Sequence, residues 1–326
     1  MIKSKKWVCL TNEAHVFDEP AADGFCPLCP PYEGILEERV VFVGEEDKPR
    51  LSTDDAYDHP TGSTTAGKPK NPVPEVGLCV ILMDASSSMT DQAFAVSPLT
   101  RMRLIATSAA SGIFDLERMQ NNPNAFVAAF KFDDRVDLMF MDTVANLLQR
   151  FDKDVKKFAN YLYDELYMMQ QGTDINRALQ QAYIFVDKFM KKQLPDFKVR
   201  DYTPMKQIIL KSSGDSLSIA NVRVLIYTDG MQYDANKNKV LQDNPFKVNP
   251  IAGLNHDIVI GAFFGDENDE GCRELQSLLS NCPIHDVPQF FLFNNPAKIN
   301  ILKYLFRMAS GASGFCPKCL EKQLYR

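Results

Sequence analysis

The chain has 326 residues, 45% of them hydrophobic and 24% charged, which is the composition of an ordinary globular protein with room for a sizeable core. Its net charge of −6 gives no positive field for a phosphate backbone or an anionic lipid surface, so we expect neither nucleic acid nor a membrane as partner. No apolar run approaches the roughly 18 residues of a membrane span, and no apolar signal-peptide segment follows the basic N-terminus. We therefore expect a soluble, cytoplasmic protein.

Residues 1–43 are predicted to form a small N-terminal module held together by zinc. Four potential zinc ligands lie in its first part, namely Cys9, His15, Cys26 and Cys29. The last two belong to a C-P-x-C sequence, which has the spacing of a zinc knuckle. A segment this short cannot bury enough apolar surface to fold without such a cross-link. Because four protein ligands leave no open coordination position, the zinc is expected to be structural.

Residues 44–75 are rich in Pro, Gly, Ser, Thr and charged residues and contain almost no apolar ones. This composition is typical of a flexible linker. The main domain is predicted to follow at 76–312, and a C-terminal tail at 313–326 carries a second C-P-x-C sequence.

Apolar strands alternate with amphipathic helices from residue 76 onwards. Strands are predicted at 76–83, 125–132, 135–141, 222–227, 257–265 and 289–294. Helices are predicted at 102–116, 148–169, 174–192, 275–279 and 297–309. The alternation predicts an α/β, Rossmann-like fold in which helices cover both faces of a mostly parallel sheet. Residues 193–220 fit neither pattern and are interpreted as an insertion.

Oxygen-bearing side chains occur at three comparable places in this pattern. Asp84, Ser86 and Ser88 follow the first strand of the domain, Thr173 opens a helix, and Asp229 follows a later strand. Ligands gather at the carboxyl ends of the strands in such sheets. Two carboxylates and three hydroxyls form a set of hard ligands that suits Mg²⁺ or Mn²⁺. The alternate spacing of the first three lets their side chains converge on one ion.

Three motifs carry a resemblance to a known family. D-x-S-x-S-M begins at Asp84, G-T-D-I-x-x-A-L begins at Gly172, and T-D-G begins at Thr228. In this order and on these elements they resemble the metal-ion-dependent adhesion site of von Willebrand factor A domains. The resemblance covers residues 76–310, and it implies the fold of that family for the main domain.

The resemblance also implies a role for each site residue. Ser86, Ser88 and Thr173 would contact the metal directly, whereas Asp84 and Asp229 would act directly or through water. Few direct negative charges then leave the cation attractive to one more carboxylate. An Asp or Glu of a partner protein is expected to supply it.

The second C-P-x-C sequence, at Cys316 and Cys319, leaves two arrangements of the zinc ligands open. The local set is Cys9, His15, Cys26 and Cys29, whose sequence resembles a zinc ribbon. The long-range set is Cys26, Cys29, Cys316 and Cys319. We favour the local set. Cys79, Cys272 and Cys282 are interpreted as buried inert thiols, and His256 and His285 as ordinary loop or surface histidines.

The combination of an A domain with a cysteine-rich metal-binding module resembles bacterial proteins of the tellurium-resistance-associated type. That resemblance implies work beside a kinase and a phosphatase in a stress or defence system. The main hypothesis is a non-enzymatic, Mg²⁺-dependent protein-binding module. The first alternative is a regulatory or specificity subunit of a kinase, a phosphatase or an AAA-type ATPase. A metal-dependent hydrolase is the second alternative, and the sequence contains neither a G-x-S-x-G turn nor a phosphate-binding G-x-x-x-x-G-K-[ST] loop.

Overall fold

The computed structural model of the chain describes residues 2–9, 15–19, 26–29, 36–43, 75–94, 98–118, 125–167, 172–191, 218–254, 258–298, 301–302, 305 and 316–324. Nearly all of the predicted linker and of the predicted insertion lies outside these ranges, and so does most of the helix predicted at 297–309. Within the described part of the chain, no helix combines the length and the apolar character that a membrane span requires.

A three-stranded antiparallel sheet forms the N-terminal module. Its strands are β1 (Ile2–Cys9), β2 (Val16–Phe17) and β3 (Leu36–Val43), in the order β2-β1-β3. β1 pairs with β3 over its whole length. The buried residues Cys9, Cys26 and Leu36 form a cluster at its centre.

A six-stranded sheet forms the main domain and confirms the predicted α/β fold class. Its strands are β4 (Glu75–Asp84), β5 (Ala125–Phe132), β6 (Val136–Thr143), β7 (Ser218–Thr228), β8 (Val259–Phe264) and β9 (Phe290–Phe293). Their order is β6-β5-β4-β7-β8-β9, and each neighbouring pair is parallel except the edge pair β5-β6. β7 begins before the predicted residue 222, because Ser218 and Ile219 extend the ladder by pairing with Glu75 and Val76.

Helices connect the strands and cover the sheet. They are α1 (Arg101–Arg118), α2 (Val144–Arg150), α3 (Val155–Tyr167), α4 (Ile175–Met190), α5 (Pro245–Val248), α6 (Glu270–Leu278) and α7 (Pro317–Leu324). Residues 301, 302 and 305 are also helical.

The single helix predicted at 148–169 is wrong, because the chain turns between α2 and α3. Asp152 and Lys153 adopt φ values of 55° and 57°, which end a right-handed helix. The carboxylate of Asp154 then accepts a hydrogen bond of 2.8 Å from the backbone N–H of Lys156 and caps the start of α3.

The sheet separates two apolar cores, and alternate residues of a strand enter opposite cores. In β4, Ile81 and Met83 belong to the core beneath α1 and α3. Val80 and Leu82 belong to the other core, beneath α4 and α6. A strand that is covered on both faces has to be apolar throughout, which explains the continuous run of apolar residues in β4.

The direction in which strands are added reverses beside β4. After β4, the chain first adds β5 and β6 on one side, and then crosses to β7 on the other side. Loops therefore leave the carboxyl ends of β4 and β7 in opposite directions, which opens a crevice between them. Asp84 is the last residue of β4, and Asp229 directly follows β7.

Candidate metal centres

Asp84 is completely buried at the carboxyl end of β4, and both of its carboxylate oxygens accept hydrogen bonds. The backbone N–H of Ser86 donates to Oδ1 at 2.8 Å. The hydroxyl of Thr228 donates to Oδ2 at 2.5 Å. Because Thr228 is the last residue of β7, this second bond joins the two strands that border the crevice. The carboxylate is therefore fixed in position by the fold.

Ser86, Ser88 and Asp229 form a chain of hydrogen bonds beside Asp84. The hydroxyl oxygens of Ser86 and Ser88 lie 3.1 Å apart, and the Ser88 hydroxyl donates to Oδ1 of Asp229 at 2.7 Å. Residues 87–90 form a short 3₁₀ turn, which brings the Ser88 hydroxyl back towards Ser86. The predicted convergence of these side chains is thus present, and a tight turn produces it.

Thr173 reaches the same place from the start of α4. Its backbone N–H and C=O both bond to Tyr233 at 2.8 Å, which fixes it beside the loop that follows β7. A Cβ added to Gly230 would lie 3.0 Å from the Thr173 hydroxyl oxygen, so that hydroxyl faces the turn next to Asp229. The structure therefore brings all five predicted site residues to one edge of the sheet.

The two carboxylates of this site are held in an environment that opposes their ionisation. Burial raises the pKa of Asp84 to about 7, and the charge of Asp229 adds to the rise. Burial also raises the pKa of Asp229, although hydrogen bonding from Ser88 and the charge of Arg101 oppose this. A divalent cation between the carboxylates would stabilise both charges. The hard oxygen donors and the electrostatics of the site thus fit Mg²⁺ or Mn²⁺.

Arg101 is part of the site and was not predicted from the sequence. It is the first residue of α1, and its guanidinium forms an ion pair with Oδ2 of Asp229. The same guanidinium nitrogen lies 3.3 Å from the backbone oxygen of Ser88. In the sequence, Arg101 looks like an ordinary surface residue at the start of a helix. Its distance in sequence from the three motifs gives no indication that it contacts Asp229.

A buried glutamine supports the loop that carries Asp229. The Gln232 side chain donates to Asp174 at 3.0 Å and accepts from the backbone N–H of Asn176 at 3.0 Å. Its backbone N–H donates to the carboxylate of Glu274 at 2.8 Å. Gln232 thereby ties the loop to α4 and to α6. This role of Gln232 could not be predicted from the sequence, because it depends on contacts between distant segments.

The predicted local set of zinc ligands is assembled in the N-terminal module. The ligand atoms of Cys9, His15, Cys26 and Cys29 all lie within 4.8 Å of one another. Nδ1 of His15 is 3.3 Å from the sulfur of Cys26 and 3.5 Å from that of Cys29. Burial raises the pKa of Cys29 to about 12, and the neighbouring thiols add to the rise. Zinc is the ion that such a group of sulfur and imidazole ligands fits.

The C-P-x-C sequence at Cys316 and Cys319 does not meet Cys26 and Cys29, as the long-range arrangement would require. Cys316 and Cys319 lie with Cys282 and His285, and the four ligand atoms are within 4.8 Å of one another. The long-range set of Cys26, Cys29, Cys316 and Cys319 is therefore not formed in the structure.

The interpretation of Cys282 as an inert thiol and of His285 as an ordinary loop histidine is corrected by this placement. Burial opposes ionisation of Cys282, but the backbone N–H groups of Ile284 and His285 donate to its sulfur and lower its pKa. The sequence did carry a signal, because Cys282-Pro-Ile-His285 has the knuckle spacing with histidine in the second ligand position.

Comparison with known proteins gives similarity in fold only. No family model and no curated protein matches the chain. Solved structures with a similar fold include an aerotolerance-related membrane protein from Bacteroides fragilis, at 14% identity, over 72% of this chain and 98% of that one, with a TM-score of 0.37. A von Willebrand factor type A structure from Catenulispora acidiphila has 14% identity over 72% of this chain and 43% of that one, with a TM-score of 0.38. The VWA domain of SpRpn10 has 14% identity over 73% of this chain and 98% of that one, with a TM-score of 0.39.

Proposed function

We propose that the chain is a non-enzymatic, Mg²⁺-dependent protein-binding module. One observation carries this proposal: Asp84, Ser86, Ser88, Thr173 and Asp229 converge from three separate segments at the carboxyl edge of the sheet. These five residues would hold the ion. Bound there, Mg²⁺ or Mn²⁺ would supply a coordination position for a carboxylate of the partner.

The residues around the site are suited to binding a partner. Three of the five ligands are neutral hydroxyls, so only the carboxylates of Asp84 and Asp229 would balance the charge of a divalent cation. The Asp229 carboxylate is already paired with Arg101, so the bound cation would still attract a further carboxylate. The site is open on one side, since Ser87 is exposed and Ser88 is only half-buried. An Asp or Glu side chain of another protein can approach from that side.

The cellular role that we propose is that of a cytoplasmic adaptor in a bacterial stress or defence system. It follows from the resemblance of the sequence to tellurium-resistance-associated proteins. The alternative is a regulatory subunit of a kinase, a phosphatase or an AAA-type ATPase. Metal-dependent hydrolysis is a weaker candidate, because no histidine takes part in the described hydrogen bonds that hold Asp84, Ser86, Ser88 and Asp229.

Capture of partners from the native lysate tests the proposed function. Immobilised wild-type chain in excess Mg²⁺ is expected to retain proteins that Asp229→Ala does not retain. Asp91→Ala is the matched control, because Asp91 is an exposed carboxylate next to the same 3₁₀ turn. A chelator is avoided, since it would also remove zinc. Identical proteins bound by all three chains would contradict the proposal.

Once a partner is identified, two measurements separate the alternatives. Replacement of one partner Asp or Glu by its amide should abolish the Mg²⁺-dependent binding if that carboxylate completes the coordination. If the partner is a kinase or an ATPase, the turnover of the partner with and without this chain decides whether the chain regulates it.

Arg101 is expected to weaken the binding of the cation at this site. Its positive charge contacts Asp229, and it therefore repels a divalent ion that the same carboxylate would bind. Arg101→Gln should tighten Mn²⁺ binding about three- to tenfold, a modest effect because the guanidinium is partly solvated. Titration of Mn²⁺ followed by electron paramagnetic resonance measures the change.

Arg103→Gln is the control for this substitution. Arg103 lies on the same helix, but its guanidinium contacts Asn160 and stacks over Tyr163. Its replacement should leave Mn²⁺ binding unchanged. Weaker binding in Arg101→Gln would instead mean that Arg101 is needed to hold Asp229 in position.

A further inference from the structure

Three separate segments of the chain each contribute a pair of ligands with knuckle spacing, namely Cys26 with Cys29, Cys282 with His285, and Cys316 with Cys319. The C-P-x-H sequence at Cys282 and His285 and the C-P-x-C sequence at Cys316 and Cys319 face each other. Nδ1 of His285 is 3.2 Å from the sulfur of Cys316 and 3.3 Å from that of Cys319. The sulfurs of Cys282 and Cys319 are 3.6 Å apart.

These separations match the edges of a zinc tetrahedron. Zinc lies about 2.3 Å from a thiolate sulfur and about 2.0 Å from an imidazole nitrogen, which places sulfur atoms about 3.8 Å apart and a sulfur and a nitrogen about 3.5 Å apart. The Cys282 sulfur and the His285 nitrogen are 3.8 Å apart, slightly more than the expected sulfur–nitrogen edge. The four ligand atoms can therefore surround one ion with little movement.

The backbone around the first pair is arranged as a knuckle. Cys282 begins a tight turn in which its N–H donates to Val287 and its C=O accepts from Asp286, both at 2.8 Å. The backbone N–H groups of Ile284 and His285 point at the Cys282 sulfur. Such N–H groups stabilise a thiolate that is bound to a metal.

The second pair is placed by α7, which packs into the main domain. Cys316, Cys319 and Leu320 are buried and belong to the core that also contains α1 and α3. A helix of only 8 residues is too short to be stable by itself. The position of α7 therefore needs a further source of stability beyond its own hydrogen bonds.

We propose that Cys282, His285, Cys316 and Cys319 form a second structural Zn²⁺ site, which fastens the C-terminal helix to the loop between α6 and β9. The chain then binds two zinc ions, one in each group of four ligands. With four protein ligands, this second ion has no open position and serves stability alone. The site is independent of the proposed Mg²⁺-dependent function.

The zinc content of the purified, untagged full chain tests this assignment. Wild type is expected to contain two zinc ions per chain, and Cys316→Ser with Cys319→Ser one. Cys26→Ser with Cys29→Ser is also expected to contain one. Cys79→Ala with Cys272→Ala removes two buried thiols outside both groups, and it should retain two.

The outcomes that would overturn the assignment are distinct. One zinc in wild type that is lost from both double variants would indicate a single site shared by the two C-P-x-C sequences. One zinc in wild type that persists in Cys316→Ser with Cys319→Ser would show that the second group is metal-free. The wild-type value decides between one and two ions without requiring any variant to fold.

A substitution at His285 tests the group without removing a thiol. His285→Cys should retain two zinc ions, because a thiolate can replace the imidazole in a tetrahedral site. His285→Ala should bind the second zinc at least about tenfold more weakly in competition with a chelator of known affinity, since one of four ligands is lost. Equal zinc affinity in the two variants would contradict a role for His285 as a ligand.

Discussion

Asp84→Asn should abolish Mg²⁺ binding at the crevice and, at the same time, stabilise the metal-free chain at pH 8. The substitution keeps the shape of the side chain but removes one of the two negative charges that attract the cation. We expect Mg²⁺ affinity to fall by about 100-fold or more, because charges in this buried position are poorly screened. Isothermal titration with Mg²⁺ measures the affinity.

The opposite effect on stability follows from the pKa of Asp84. Burial, reinforced by repulsion from Asp229, raises this pKa to about 7 in the folded chain, above its value in an unfolded chain. The folded state therefore holds the proton more tightly, so ionisation of Asp84 lowers the free energy of unfolding as the pH rises from about 4 to about 7. At pH 8 the full cost is present, on the order of 4 kcal/mol. Asparagine avoids this cost.

Part of the gain is lost through hydrogen bonding. The Asp84 carboxylate accepts from the Ser86 N–H and from the Thr228 hydroxyl. In asparagine the amide oxygen can accept from only one of these donors, and the amide nitrogen can only donate to the Thr228 oxygen after that hydroxyl rotates. This mismatch costs about 1 kcal/mol. We therefore expect Asp84→Asn to raise the free energy of unfolding by roughly 3 kcal/mol at pH 8. At pH 4 the gain should vanish, because Asp84 is then protonated.

Urea unfolding followed by circular dichroism, without Mg²⁺ and then with excess Mg²⁺, checks both parts. Wild type should be stabilised by Mg²⁺, and Asp84→Asn should not be. Asp91→Asn, which removes an exposed charge near the same turn, should behave as wild type in both conditions. A lower stability of Asp84→Asn at pH 8 would show that the carboxylate is satisfied without a cation, and the metal site would then be in doubt.

The sequence was informative where a local pattern determines the result. The apolar run of β4 and the three- and four-residue spacing of apolar side chains in α4 predicted their elements closely. The motif residues lie directly at the ends of these elements, so the topology brings them together once the strand order is set. This is why Asp84, Thr173 and Asp229, which the motifs singled out, lie at the same edge of the sheet.

Features that depend on distant contacts were missed. Arg101 meets Asp229 because α1 starts beside the end of β7, and Gln232 acts through α4 and α6. His285 was missed for a different reason. Its C-P-x-H spacing was a signal in the sequence, but this knuckle has histidine where the other two have cysteine. That it faces Cys316 and Cys319, at the start of α7, is apparent only in three dimensions.

Cys26→Ser with Cys29→Ser should unfold the N-terminal module and leave the main domain folded. The apolar cluster at the centre of the module is small, since it consists of Cys9, Cys26 and Leu36, and two of these three are candidate zinc ligands. Each side chain of this cluster contributes about 1.5–3 kcal/mol at most, which is small beside the entropy cost of ordering three strands. Structural zinc contributes on the order of 10 kcal/mol in comparable small modules.

Trp7 reports this unfolding without interference from the rest of the chain. It is the only tryptophan in the sequence, it lies on β1, and its half-buried side chain packs against the Cys9, Cys26 and Leu36 cluster. We expect its fluorescence emission in the double variant to shift to the wavelength of the denatured chain. The urea midpoint of the far-ultraviolet signal, which the larger main domain dominates, should stay within the error of wild type.

The matched control is Cys316→Ser with Cys319→Ser. It also tests whether the two C-P-x-C sequences bind separate ions. If each C-P-x-C sequence belongs to its own group of ligands, the control should leave the emission of Trp7 unchanged while it lowers the stability of the main domain, because α7 packs in that core. A shift of Trp7 in both variants would mean that the two sequences share one ion. Wild-type emission in Cys26→Ser with Cys29→Ser would mean that the three strands hold together without zinc, and a structural ion in this module would then be excluded.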